Sequence, residues 1–317
     1  MRVGFIGLGN VGGKLAGSLL RNGVDLTVAD LDAGRVAEFV ARGAKAGAGP
    51  AALMEESDVV ITCLPSPAAS AAVVEGPGGL IEAMGPGKTW LEMSTTDAEE
   101  VKRLAAKVAA KGGRAADVPV SGGCHRAATG NISIFAGCDR ETFEAVLPLL
   151  TILGRRVLHT GPLGSASVLK VMTNYLATAN LLTLCEAFVT MKAAGMDMAT
   201  TYEAIRISSG TSFVHETESQ LILSGARDVN FTMDLVQKDI GLFQKLAEAA
   251  GVPLELSPKL IEIIADGQRR YGERAQSDKI IERLEEATGL QVLAPGFPSE
   301  LIDDEPEERG QEVRPPR

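Results

Sequence analysis

The sequence predicts an α/β domain built on a mostly parallel sheet, followed by an all-α domain. Three observations predict it. Over residues 1–163, short β-branched runs alternate with longer Ala- and Leu-rich stretches of helical spacing. A glycine-rich turn, Gly7-Leu8-Gly9-Asn10-Val11-Gly12, follows the first of those runs. From Gly164 the alternation stops, and only helical patterns punctuated by Gly or Pro follow.

Taken in order, the β-branched runs predict strands at 3–6, 26–29, 59–64, 89–93 and 132–135, with helices at 11–22, 34–42, 97–111 and 140–152. Val59-Val60-Ile61 is continuous rather than alternating, which predicts strands covered on both faces. Residues 164–194 carry only Lys170, Glu186 and Lys192 as charges and no internal Gly or Pro. They predict one long buried helix, roughly 45 Å at about 1.5 Å per residue. Further helices are expected at 199–207, 213–223, 232–250, 258–270 and 277–288. The domain division is 1–163 for the dinucleotide-binding domain and 164–293 for the helical substrate and oligomerisation domain. Residues 294–317, acidic and Pro-rich, are expected to be a mobile tail, because such a segment buries too little apolar surface to offset its ordering entropy.

Composition narrows the function classes. With 317 residues, 45% apolar and 23% charged, the chain has the make-up of a soluble globular protein. A net charge of −10 argues against nucleic acid, whose backbone draws clustered Lys and Arg. Residues 59–74 lack charge, but Pro65 and Pro67 interrupt them and they fall short of the ~20 residues that span hydrocarbon, so no membrane partner is expected. Cys63, Cys124, Cys138 and Cys185 form no CxxC pair; they predict reduced thiols, a cytoplasmic location and no metal site.

The Gly7–Gly12 turn sits between a strand and a helix, the context a dinucleotide fingerprint requires. Gly7 serves the tight turn, Gly9 close pyrophosphate approach, and Gly12 the packing of helix on strand. Leu8, Asn10 and Val11 complete the loop and bring helical N–H groups toward the phosphates. Asp30 ends the next strand 18 residues beyond Gly12, where a carboxylate accepts from ribose hydroxyls, although it could also cap the following helix. Asp30 and Asp32 would repel a 2′-phosphate, so NAD is preferred over NADP, with Arg35 acting in the opposite direction. The first domain is therefore expected to be Rossmann-type.

Two longer segments are more specific: Asp117-Val-Pro-Val-Ser-Gly-Gly-Cys-His-Arg-Ala-Ala-Thr-Gly130, and Gly161-Pro-Leu-Gly-Ser-Ala-Ser-Val-Leu-Lys170-Val-Met-Thr-Asn174. With GFIGLGNVG near the start and the pair Lys238-Asp239, they resemble the β-hydroxyacid dehydrogenase family, whose members include 3-hydroxyisobutyrate dehydrogenase and tartronate semialdehyde reductase. The resemblance covers residues 1 to about 290. It implies NAD-linked oxidation of a small β-hydroxyacid to its semialdehyde, or the reverse reduction, in a cleft between the lobes of a homodimer or homotetramer. Tartronate semialdehyde reduction and a non-enzymatic NAD-binding module remain alternatives.

The residues support that chemistry on their own terms. Alcohol oxidation needs a group that takes the hydroxyl proton, and an amine in a dry pocket has its pKa drawn toward working pH. Lys170, alone on its stretch of apolar helix, is the candidate; the alternative is a lysine that snorkels to the surface or pairs structurally. Asn174 and Ser167, four residues on and three before, share its helix face and could orient substrate or amine, or make ordinary helix–helix hydrogen bonds. Ser121-Gly122-Gly123 offers a hydroxyl and a flexible backbone that could wrap a carboxylate, or form a plain turn.

By the resemblance, Ser121, Gly122 and Gly123 hold the substrate carboxylate. Leu64, Pro65 and Thr95, with Ser94, touch the cofactor from strand ends, and Phe231 and Lys238 approach its nicotinamide end. Asn174 helps place substrate. The chain departs from the family at Cys124-His125-Arg126, where small or apolar residues are usual; His125 or Arg126 is a candidate contact to a polar or second anionic substrate group. His215 has either a structural or a pocket role.

Overall fold

In the computed structural model, which describes residues 1–316, the chain divides into two units. One comprises Met1–Lys170 together with the residues from Asp303 onward, and the other is Val171–Ile302. The boundary falls inside the long helix rather than at residue 163.

In the first unit β1 (Arg2–Ile6) leads through the glycine turn into α1 (Asn10–Arg21), then β2 (Asp25–Ala29), α2 (Ala33–Ala41), β3 (Lys45–Ala46) and α3 (Pro50–Glu56). The second half of the wind is β4 (Val59–Thr62), α4 (Pro67–Glu75), β5 (Thr89–Glu92), α5 (Ala98–Ala110) and β6 (Arg114–Asp117). After it come β7 (Val120–Ser121), α6 (Gly123–Thr129), β8 (Ile132–Gly137), α7 (Arg140–Leu153) and β9 (Gly154–Gly161). The strands form one sheet in which β3-β2-β1-β4-β5-β6 run parallel, β8 joins β6 antiparallel, and β9 continues parallel to β8. The predicted two-sided burial is present. Val59 and Ile61 pack with Val3, Phe5 and the α1 residues Leu15 and Leu19 on one face, while Val60 packs with Leu53, Val74, Trp90 and Leu104 on the other.

Strand order reverses between β1 and β4, whose carboxyl ends open into the crevice where doubly wound sheets take ligands. There the Gly7 N–H donates to Ala29 O (3.0 Å) and the Cys63 N–H to Ile6 O (3.0 Å).

The β-branched runs and helical spacings do not mark β3, α3, α4, β6, β7, α6 or β9. The α4 segment PAASAAVVE is apolar without helical periodicity; its start is set by Ser66, whose Oγ accepts from Ala69 N (3.2 Å), and by Pro67 in the first turn. The β6 sequence RAAD has little intrinsic strand preference, and β9 begins Gly-Arg-Arg. Their neighbours in the sheet make both into strands.

α8 (Ser165–Ala193) is one unbroken helix, as expected, but it is not buried all round. Leu176, Asn180, Thr183, Ala187 and Thr190 recur at three- and four-residue steps as an exposed stripe, with Leu176 50% exposed. The second unit continues with α9 (Met198–Arg206), α10 (Phe213–Ser224), α11 (Met233–Ala249), α12 (Leu256–Tyr271) and, after a short 3₁₀ turn (Ser277–Ile281), α13 (Glu282–Thr288). Their shared core is Leu181, Phe188, Tyr202, Val214, Ile222, Ile240 and Ile264. Among the described residues no helix is long and apolar enough to cross a membrane.

The expected mobile tail is corrected. Residues 303–316 belong to the first unit, and β10 (Gln311–Val313) pairs parallel with β9 at the sheet edge. The expectation weighed apolar burial alone. Several of the acids that made the segment look unfoldable are satisfied instead by arginines, including Glu312 on Arg140 (2.6 Å) and Glu308 on Arg155 (2.8 Å).

Candidate active site

The glycine turn is held by backbone geometry that other residues do not adopt. Gly7 has φ +99°, and a Cβ there would stand 2.3 Å from Cys63 O. At Gly12 a Cβ would stand 2.0 Å from Gly7 O, so the helix can lie this close to the turn only without a side chain. Gly9 differs: the one atom within 4 Å of its missing Cβ is Arg35 Nη1, at 3.8 Å. Space therefore opens over the backbone at the first turn of α1, as close approach of a pyrophosphate demands. Leu8, Asn10 and Val11 lie on this same turn.

Asp30 is tied to the loop rather than to a helix end. Its Oδ2 accepts from Leu8 N at 2.6 Å and its Oδ1 from Asp32 N at 2.8 Å. The cap of α2 is Asp32, which accepts from Gly34 N (2.9 Å) and Arg35 N (3.4 Å). Arg35 lies between the two acids, 4.0 Å from Asp30 and 3.5 Å from Asp32.

At the next two strand ends, Leu64 N donates to Ser94 Oγ (2.8 Å), and Ser94 N donates to Glu92 Oε1 (2.9 Å). Leu64-Pro65 and Ser94-Thr95 are thus brought together as one edge of the crevice. Glu92, wholly buried on β5, is a residue the sequence reading passed over; a carboxyl in the apolar run Thr-Trp-Leu-Glu-Met was the signal available. Burial raises its pKa, against opposing hydrogen bonds from Ser70 and Ser94. The helix beyond is capped by Asp97.

Ser121 ends β7, and Gly122 (φ +132°) and Gly123 (φ +84°) turn the chain into α6. The side chains of Arg126 and His125 fold back along this pair. A Cβ at Gly122 would stand 3.4 Å from Arg126 Cδ, and one at Gly123 would stand 2.8 Å from His125 Cε1. Arg126 also faces Glu305 at 3.9 Å. Burial lowers the His125 pKa, with Arg126 acting in the same direction.

The same segment anchors α8. Asp117, fully buried at the end of β6, accepts from Gly164 N (2.7 Å), Ser167 N (2.7 Å) and Ser167 Oγ (2.9 Å). Burial raises its pKa while these three donors work to lower it. Of the two roles open to Ser167, substrate contact or an ordinary hydrogen bond, these bonds to Asp117 show the second: it anchors the helix start. Lys170 follows one turn later and is 7% exposed, so it does not snorkel to the surface. Asp117→Ala strands two N–H groups at the helix start, and the expected cost is about 2 kcal/mol. Thermal unfolding should show it as a lower Tm, with a reduced turnover number accompanying it.

In the second unit Asn174 Nδ2 donates to Asp239 Oδ2 (2.5 Å), and Lys238 Nζ reaches Asp239 Oδ1 (2.5 Å). Asp239 is buried, so the pair is no solvated surface bridge, and sequence reading had given its carboxylate no role. Phe231 packs partly buried on the helical core. His215 is a core residue: its Nε2 bonds Tyr202 O (3.0 Å), and its ring lies against Tyr202 and Phe188.

Comparison with known proteins agrees with this architecture. A family model described as the NAD binding domain of 6-phosphogluconate dehydrogenase matches residues 2–161. Another, described as NAD-binding of NADP-dependent 3-hydroxyisobutyrate dehydrogenase, matches residues 164–284. The 2-(hydroxymethyl)glutarate dehydrogenase of Eubacterium barkeri is 33% identical over 293 residues, 92% of this chain and 97% of that protein. Mitochondrial 3-hydroxyisobutyrate dehydrogenase of Rattus norvegicus is 31% identical over 261 residues, 80% of this chain and 78% of that one. A solved 3-hydroxyisobutyrate dehydrogenase structure from Salmonella typhimurium superposes with TM-score 0.82 at 25% identity, covering 89% of this chain and 99% of that one.

Proposed function

Because the chain belongs to the β-hydroxyacid dehydrogenase family of NAD(P)-dependent oxidoreductases, we propose that it interconverts a small β-hydroxyacid of the 3-hydroxyisobutyrate kind and its semialdehyde, with Lys170 exchanging the hydroxyl proton. The observation that carries this reading is the Lys170 amine, 7% exposed and one helical turn beyond the Asp117 anchor; a buried amine is costly unless it is paired or put to use. Nicotinamide, when bound, supplies the hydride acceptor. The protein's part is to hold substrate and manage its proton.

Gly7, Leu8, Gly9, Asn10, Val11 and Gly12 are assigned the pyrophosphate, Asp30 the ribose, and Leu64, Pro65 and Thr95 the crevice edge against the cofactor. Ser121, Gly122 and Gly123 are assigned the substrate carboxylate. Asn174, held by Asp239, is assigned the placement of substrate. Phe231 and Lys238 are assigned the nicotinamide end on the family resemblance. The exposed stripe of α8 is the face assigned to association into a homodimer or homotetramer.

The test is nicotinamide reduction on a panel containing 3-hydroxyisobutyrate and 2-(hydroxymethyl)glutarate, with tartronate semialdehyde assayed in the reverse direction. Turnover of one member with a clear preference is expected. Absence of turnover on all of them, with nucleotide still bound, would favour a binding module instead.

NAD is the proposed preference. Asp30 presents a carboxylate where NADP carries its phosphate, and Arg35 is already engaged by Asp30 and Asp32, which leaves it little charge to offer a third anion. Asp30→Ser should raise the ratio of kcat/KM for NADP over NAD by about tenfold or more. Steady-state kinetics with both nucleotides checks it, and an unchanged ratio removes Asp30 from the discrimination.

A further inference from the structure

The C-terminal segment reaches residues that the proposed site depends on. Asp303 accepts from the Thr129 hydroxyl and from Asn131 Nδ2 (2.8 Å), and Glu305 O accepts from the same amide (2.9 Å). The Glu305 carboxylate faces Arg126. Glu307 takes Asn22 Nδ2 (2.9 Å) and Arg21 Nε (3.2 Å). Further on, Gly310 N donates to Thr151 O (2.8 Å), and a Cβ on Gly310 would stand 1.9 Å from Gly154 O. β10 then locks onto β9.

The first acids land on the C-terminal ends of α6 and α1. A carboxylate there opposes the helix dipole, so helix stability does not explain the placement. What the two helices share is their other ends: Gly122 opens α6 and Gly9 opens α1. A helix is stiff along its axis, so fixing one end fixes where the other points.

The two helices differ in what else holds them. The turn before α1 is pinned by Asp30 on Leu8 N and by Gly7 N on Ala29 O. α6 is a short helix with no side-chain cap at its start. Its polar anchors to the strap lie at Arg126, Thr129 and the adjoining Asn131.

We propose that residues 303–313 form a positioning strap in which Asp303 and Glu305, acting through α6, set the place of Ser121-Gly122-Gly123 and thereby the affinity for the hydroxyacid. The proposal rests on the reading of Ser121–Gly123 as the carboxylate cradle. Asp303 and Glu305 are positioning residues that need not touch substrate. Single exposed ion pairs contribute little, but here strand pairing, backbone bonds and several acids hold one segment together.

The experiment compares the full chain with a version ending at Ile302 and with the double variant Asp303→Ala/Glu305→Ala, which keeps β10. Expected in both is a rise of about tenfold in hydroxyacid KM, with the NAD dissociation constant within about twofold of the parent. In the double variant, which keeps Glu307 on α1, amide hydrogen exchange should quicken at 121–130 and stay unchanged at 7–21. An unaltered KM overturns the proposal. A parallel rise in KM and NAD dissociation constant with a lowered Tm overturns it too, since that marks a merely structural role. If the parent chain turns over no hydroxyacid, the cradle reading fails separately. Exchange then decides the strap: unchanged protection at 121–130 refutes it, and selective loss there supports it.

Discussion

Lys170→Ala should lower kcat by about a thousandfold while leaving the NAD dissociation constant near the parent value. The argument is chemical. Hydride departs from a carbinol carbon only as the hydroxyl proton is taken up, and a positioned general base contributes about 10²- to 10⁴-fold to such steps. Lys170 is the buried amine at the start of α8, on a helix turn fixed by Asp117.

Lys170→Arg separates the proton from the charge. Guanidinium keeps the positive charge but does not give up a proton near neutral pH. It should therefore be almost as impaired as Lys170→Ala, and added small primary amines should restore part of the activity of the Ala variant alone. Activity retained in Lys170→Arg would assign the residue an electrostatic role. Activity retained in Lys170→Ala would remove it from the chemistry.

The second large effect is expected in the helical unit, on stability as a function of pH. Asp278 sits in the 3₁₀ turn before α13 with 0% exposure, and among the described residues neither carboxyl oxygen has a well-formed hydrogen bond. Burial pushes its pKa up to about 7. Glu218 on α10 has its Oε2 buried without a partner, and burial, with the charge of Asp278 adding to it, raises its pKa to about 8.

A carboxyl whose folded pKa lies above its unfolded value holds its proton better when folded. Its contribution to stability is complete below the unfolded pKa and is lost as pH climbs through the folded one. For Asp278 that window runs from about 4 to about 7, and for Glu218 from the mid-4s to about 8. At about 1.4 kcal/mol per unit, Asp278 alone accounts for a loss of about 4 kcal/mol. Asp278→Asn should therefore raise Tm by several degrees at about pH 8.5 and change it little at about pH 5. Equal shifts at both pH values would mean that packing, not titration, governs the site.

How much of this could be read from the chain depends on sequence separation. The glycine turn and the strand before it were legible because tight turns and close helix approach impose φ and space requirements on consecutive residues. The length of α8 was legible from an uninterrupted apolar run. Asp117 was visible in its motif, but its partners Gly164 and Ser167 lie 47 and 50 residues away, and no local pattern announces such a bond. The role of Ser167 stayed open for the same reason: helix periodicity gives its face but not the acid across from it.

A doubly wound first domain, a helical second one, the glycine turn and a lysine on an apolar helix could all be read from the chain, because each is specified by residues adjacent in it or repeated at helical period. Only the tertiary structure decided which acid holds which element. Asp30 binds the loop while Asp32 caps the helix, Asp239 holds Asn174, and Asp303 and Glu305 bind α6 rather than trailing in solvent. An acidic side chain carries no local signature of its partner; its role depends on which donors the folded backbone brings within hydrogen-bond reach.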